Sequence, residues 1–226
     1  MPRGQQSRGT CQFCSYETTK GAMGRHLAKC PARAEKVAAA ATKGRPETLF
    51  YLRMEDAYAP EFWLDIEARG AAKLKDIDTY LRAIWLECCG HLSAFKLGGW
   101  GGRDMAKTRT VEQIFSHYDE VVHIYDFGTS SETRIRRIDQ HAGVPLTERP
   151  LVLMARNVMP QVECQECGQP ATHLCMECMV EHDASGILCD AHTTKHRHRD
   201  YGEPLALVNS PRLGMCGYDG PAEPPY

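Results

Sequence analysis

The residues best equipped for chemistry are cysteines and histidines gathered toward the two ends of the chain. In CQFCSYETTKGAMGRHLAKC, Cys11, Cys14, His26 and Cys30 follow the spacing C-x2-C-x11-H-x3-C. The first pair suits a tight turn aiming two sulfurs at one ion. The second pair, four positions apart, is expected on one face of a helix, so that four ligands close a tetrahedron around zinc. Phe13, Met23 and Leu27 are too little apolar material to fold this segment unaided, so zinc is expected to supply most of its stability.

Toward the other end, Cys164 and Cys167 form one C-x2-C and Cys175 and Cys178 a second, followed by Cys189, His192, His196 and His198. Eight such residues suffice for two tetrahedral ions, giving three zinc ions for the chain. Spacing leaves the pairing open. The four early cysteines can share one ion, Cys216 and Asp219 can face Cys164 and Cys167, and His182 can replace His196 or His198. His173 reads as an ordinary polar residue. Sites filled entirely by protein leave no position for a catalytic water, which favours scaffold over metalloenzyme.

Residues around these ligands must position them. At 226 residues and 42% hydrophobic content, the chain can hold one ordinary domain or several small modules. MPRGQQSRGT lacks the apolar core of a secretory signal, and no apolar run approaches the roughly 18 residues of a membrane span. The chain therefore reads as soluble, intracellular and cytoplasmic, without a membrane partner, and its eleven cysteines as reduced thiols free to bind metal. Residues 1–46 hold nine Lys and Arg against Glu17 and Glu35, whereas the whole chain has 27 basic and 29 acidic residues. A basic end on an acidic body points that end toward nucleic acid, with Lys20, Arg25 and Lys29 placed to touch phosphate. A single finger reads only about three base pairs, so contact is expected to be nonspecific, and protein docking is the alternative use.

The expected organisation is a finger over 1–34, an Ala-rich linker over 35–46, an α+β domain over 47–156, a double zinc module over 157–200 and an irregular Pro/Gly-rich tail over 201–226. AEKVAAAATKGRP favours a helical extension of the finger, stopped by Gly44 and Pro46. TLFYLRME and EFWLDIEAR read as strands, the second alternating Phe62, Leu64 and Ile66 on one face. KLKDIDTYLRAIWLECCG reads as an amphipathic helix capped by Gly90, with Cys88 and Cys89 buried and inert at its end. HLSAFKL reads as a strand, TVEQIFSHYDE as a short helix, EVVHIYDFG with SETRIRRID as a hairpin, and RPLVLMAR as a closing strand. The fold class is α+β, a small mixed or antiparallel sheet with covering helices.

Two resemblances carry this further. The helix with His91 and Leu92 after it, and Tyr125–Gly128 later, resemble the root-inducing plasmid ORF-three-like family, also described as insertion-element passenger TnpR proteins. Ser93, Ala94 and the residues from Thr129 onward depart from its motifs. That resemblance implies a compact α+β fold and an origin on mobile DNA. The C-terminal ligand order is similar to a B-box zinc finger, which implies interleaved sites: Cys164, Cys167, Cys189 and His192 on one ion, Cys175, Cys178, His196 and His198 on the other. Ten residues between Cys178 and Cys189 exceed that family's usual spacing.

No catalytic set emerges. YDFG reads as a turn between strands, and GGRDMAKT has Ala106 where a phosphate loop needs glycine. The expected function is non-enzymatic zinc binding, nucleic-acid-associated or adaptor work with a protein recruited through the C-terminal module. The rival is an enzyme, a nucleotide hydrolase or other hydrolase, with its site near His91, Asp126 or the GGWGG loop.

Overall fold

The structure is a computed structural model and describes residues 7–86, 90–198 and 200–224. Cys88, Cys89 and Arg199 lie outside the described residues. The chain divides into two compact units, one running to Arg82 and resuming over His91–Val158, the other comprising Ala83–Gly90 and Met159–Tyr226. Among the described residues, no helix is long and apolar enough to cross a membrane.

In the first unit, β1 (Arg8–Cys11), β2 (Glu17–Thr19), α1 (Lys20–Lys29) and α2 (Pro31–Ala41) precede β3 (Glu47–Asp56) and β4 (Trp63–Arg69). Then come α3 (Leu74–Leu81), β5 (Ser93–Leu97), β6 (Arg103–Met105), α4 (Val111–Phe115), β7 (Glu120–Tyr125), β8 (Ser131–Gly143) and β9 (Leu151–Asn157). The nine strands form one sheet in the order β2-β1-β9-β4-β3-β8-β7-β5-β6. Every pairing is antiparallel. The expected α+β class holds and the sheet is antiparallel, one of the two arrangements expected, but it is large where a small one was expected, because the finger's own strands extend it at one edge.

Strand β4 explains how this enlargement is stabilised. Phe62, Leu64 and Ile66 are the expected core face; Leu64 and Ile66 are buried and Phe62, just before the strand, is half-buried, yet Trp63, Asp65 and Glu67 on the other face are buried as well. Registers of Glu55 with Trp63, Arg53 with Asp65 and Tyr51 with Glu67 put these six on one side of the sheet. The finger covers that side: Cys11, Met23, Leu27 and Cys30 form one core cluster with Trp63, Met154 and Ala155. A bulge in β9 at Met154 places its carbonyl 2.8 Å from the Gln12 amide, fastening the finger to the strand. Gly9 is needed here because a Cβ would lie 2.3 Å from the Trp63 ring. On the opposite face α4 packs Phe115 toward Phe50, with ring centroids 6.5 Å apart.

Two helices differ from expectation. The Ala-rich segment is not a continuation of α1, since Cys30 is extended (φ −67°, ψ 115°) and α2 starts at Pro31. Proline disfavours helix in the residue before it and suits the first helical position, so one helix ends and another begins at the Cys30–Pro31 step. The helix read from Lys73 to Gly90 is α-helical only to Leu81 and continues as a π-helical segment, Arg82–Leu86, while Gly90 has the positive φ (67°) expected of a terminating glycine.

The second unit holds β10 (His173–Leu174), α5 (Met176–Glu181), β11 (Ile187–Leu188), α6 (Asp190–Thr193) and β12 (Leu205–Ala206). Its three strands order as β11-β10-β12. The tail, expected to be irregular, thus supplies a strand, and it also buries Ser210, Arg212 and Tyr218. Ser210 Oγ donates to the Trp85 carbonyl at 2.7 Å, which gives the tail a fixed anchor. A separate core cluster consists of Cys164, Cys175, Cys178 and Leu188. With three cysteines and one leucine, this cluster is too small to be held by burial alone, which makes the sulfurs the natural points of cross-linking.

Candidate metal centres

The first centre is assembled by three elements. Cys11 ends β1, Cys14 follows in a turn closed by the Ser15 amide donating to the Cys11 carbonyl, and Ser15 takes a positive φ of 59° to complete it. His26 sits on α1, its ring stacked on Tyr16 at 4.7 Å, and Cys30 lies just beyond the helix instead of on it. Cys11 Sγ and Cys30 Sγ are 4.0 Å apart, and Cys14 Sγ lies 3.4 Å from His26 Nε2. A tetrahedral ion with metal–sulfur bonds of about 2.3 Å sets sulfurs about 3.8 Å apart, and sulfur and nitrogen slightly closer. The four ligand atoms lie within 4.8 Å of one another. Burial pushes the Cys11 thiol up to about 11, so a bare Cys11 holds its proton and an ion must displace it.

The second unit carries two further centres. Cys164, Cys167, Cys189 and His192 converge, with Cys167 and Cys189 sulfurs 3.8 Å apart and His192 Nδ1 3.5 and 3.3 Å from Cys164 and Cys189. Cys175, Cys178, His196 and His198 form the other group. There Cys178 Sγ is 3.3 Å from His196 Nε2 and 3.2 Å from His198 Nδ1, and the two nitrogens are 3.2 Å apart. Burial raises the Cys164 thiol, but backbone donors from Cys189, Glu166 and Cys167 outweigh it and bring it down to about 6. In Cys178 burial dominates, aided by Cys175, and the thiol rises to about 11. Gly186 makes the chain's close approach to this site: a Cβ there would lie 2.3 Å from the Cys175 carbonyl.

The pairs interleave, so the four early cysteines do not share one group. Cys189 and His192 fill the places beside Cys164 and Cys167 that Cys216 and Asp219 were considered for. His182 is exposed and stacks on His198 at 4.6 Å, outside the four-residue group, though with Glu177 and His198 it forms a looser set of ligand atoms. His173 pairs with Asp190 at 3.6 Å.

No protein-family model and no curated protein matches the chain. Among solved structures it is similar to the crystal structure of a protein of unknown function, MM3350 from Methanosarcina mazei Go1, at a TM-score of 0.42 and 16% identity, over 49% of this chain and 69% of that one.

The enzyme-like motifs take structural places. Asp126 (φ 63°) forms the turn after β7, its Oδ1 accepting from the Gly128 amide at 2.9 Å, with His91 Nδ1 3.4 Å from its Oδ2. Lys107 belongs to no phosphate loop. In GGRDM the two glycines end the turn after β5 and Arg103–Met105 are β6, and Lys107 Nζ donates to Asp78 Oδ2 at 2.9 Å and Ser93 Oγ at 2.6 Å.

That pair opens onto a polar network the sequence reading missed. Asp78 Oδ1 accepts from Ser93 Oγ at 2.6 Å and from His123 Nε2 at 2.7 Å, and Arg82 Nε reaches Oδ2 at 3.2 Å. Arg82 also donates to Ser93 Oγ at 2.7 Å and lies over the Tyr125 ring at 4.7 Å. Burial alone would raise the Asp78 carboxyl, but hydrogen bonds from His123, Ser93 and Lys107 hold it far below the carboxylate range. Burial lowers His123, whose Nδ1 has no hydrogen-bond partner. Asp78 falls on the buried face of α3 with Leu74, Ile77 and Leu81, and His123 inside an apolar strand, so a charge among apolar neighbours was the only hint of this network.

Proposed function

We propose that the chain is a zinc-structured binding protein carrying three structural zinc ions, with no catalysis at its metals, whose C-terminal module serves as an adaptor for a protein partner. The observation that carries this reading is the convergence of twelve cysteines and histidines into three groups of four at tetrahedral spacings. Thiolate and imidazole donors at these distances suit zinc, and each set is closed by protein side chains, which removes the open position a zinc enzyme keeps for water. The similarity to a B-box module supports protein recruitment, as do exposed Met179 and Val180 on α5 and exposed Tyr201 in the same unit.

Nucleic-acid contact is a second, weaker reading. Lys20 and Arg33 are engaged with the sheet, which leaves Arg8, Arg25, Lys29, Lys36, Lys43 and Arg45 as exposed basic residues of the finger and the segment after it. Such a patch suits nonspecific phosphate contact, in keeping with a role linked to mobile DNA. Metal analysis of the purified chain tests the leading reading: three zinc equivalents are expected, and one or none overturns it. Titrating labelled duplex at two salt concentrations, with the parent and with Arg25, Lys29, Lys43 and Arg45 all changed to Ala, tests the second. Salt-insensitive binding, or equal binding by both proteins, removes it.

A further inference from the structure

Beside the Asp78 network lies a cavity of about 340 Å³, whose lining includes Ser93, Lys96, Trp100, Asp104, Lys107 and Phe127. Its size falls in the range of small-molecule sites, roughly 300–1,000 Å³. Two walls differ in character. One is aromatic, with Trp100 and Phe127 both about half exposed and their ring centroids 5.8 Å apart. Trp100 is held in place by its Nε1 donating to Glu132 Oε1 at 2.6 Å. The other wall is the Ser93–Lys107 pair.

Charge at that wall does not balance. Asp78 is a single carboxylate between two cations, Lys107 and Arg82, while Lys96 on the same wall is matched by Asp104 at 2.7 Å. His123, buried and held neutral, adds no charge, which leaves one positive charge in excess at this wall, while the Glu132 carboxylate that holds Trp100 stands behind the other. An ammonium carries three N–H donors. Two of those on Lys107 meet Asp78 and Ser93, and the third has no protein acceptor among the described residues although the side chain lines the cavity. The same bonds argue against a Ser93 nucleophile. Its proton goes to Asp78 and both lone pairs receive donors, from Lys107 and Arg82, so no free pair faces a substrate.

We propose that this cavity binds a small carboxylate with a flat apolar body, the carboxylate on Lys107 Nζ and the ring against Trp100 and Phe127. The cationic Lys107 wall with its free donor matches the carboxylate of such a ligand, and the aromatic wall its flat body. Recognition here is independent of the zinc groups.

Calorimetric titration of the zinc-loaded full chain with benzoate tests it, with benzylamine as the control of opposite charge. Saturable benzoate binding at least tenfold tighter than benzylamine is expected. Lys107→Met should weaken benzoate at least tenfold while leaving Asp78 paired one-to-one with Arg82, so the protein should stay folded. Trp100→Ala, on an exposed loop, should weaken it several-fold and serves where Lys107→Met does not fold. Absence of saturable benzoate binding, equal binding of benzylamine, or unchanged affinity in either folded variant would overturn the proposal.

Discussion

Arg33 Nη2 of α2 lies 3.0 Å from Glu67 Oε2 of β4, thirty-four residues away in sequence, with both side chains largely buried. Lys20 reaches Glu55 at 3.1 Å from the start of α1. Together these bonds show that part of the basic character of the N-terminal segment is answered inside the molecule, by an acidic stripe on the sheet beneath it. They also show why the finger should be treated as a part of the sheet and not as a detachable module.

Breaking the Arg33–Glu67 pair on one side leaves a carboxylate only 5% exposed without its partner. Arg33→Met is expected to destabilise the first unit by about 3 kcal/mol, and Arg33→Met with Glu67→Leu to recover most of that, because two apolar groups need no pairing. Urea unfolding of the three proteins measures it. An additive double variant would show that the pair is not coupled.

Gly9 lies where β1 crosses the Trp63 ring. A Cβ there would meet Trp63 at 2.3 Å and the Arg156 carbonyl at 2.6 Å, both fixed in a buried setting. Gly9→Ala should therefore cost about 1–3 kcal/mol through overpacking, against the slight gain expected of alanine in an open strand. Thermal melts followed by Trp fluorescence would register the difference.

Each metal group should fail by itself. Cys14→Ser, Cys167→Ser and Cys178→Ser are expected to reduce bound zinc by one equivalent each, measured by elemental analysis of the purified variants. Chelation should first unfold the segment from Cys164 to His198, since the core cluster around its ligands is three cysteines and a leucine and metal binding is there the main source of folding free energy, of order 10 kcal/mol per site. Persistence of the β10–β12 amide protection in chelator would contradict this.

The His123 imidazole should stay neutral below its ordinary value of about 6.5, since burial, with repulsion from Lys107 and Arg82, outweighs the hydrogen bond and charge of Asp78 that favour its proton. The sign follows from linkage. A histidine whose native pKa is lowered binds its proton in the unfolded chain first, so the first unit loses stability as pH falls below about 6.5. Ring nitrogen shifts in NMR between pH 7 and 5 read the protonation directly, and a midpoint at or above 6.5 would refute the burial argument.

How much of this could be read beforehand depends on the range of the interaction concerned. Ligand spacing and hydrophobic period act over a few residues, so the twelve metal-group residues, the strands β3, β4, β7, β8 and β9 and the helices α3 and α4 were legible. β4 was read with one buried face because alternation reports apolar residues only, and its second face buries Trp63 with Asp65 and Glu67, whose partners come from distant segments. The tail's strand went unread because two residues of pairing leave no periodic signal.

By itself the sequence determined which side chains could hold metal and which segments were helix or strand, since both are encoded in local spacing. Tertiary structure alone decided that the finger joins the sheet, that its Lys20 and Arg33 turn inward, and that Asp78, Arg82, Ser93, Lys107 and His123 meet. Those outcomes depend on strand register and on which face each residue takes once strands far apart in the chain lie side by side, and no local pattern carries that information.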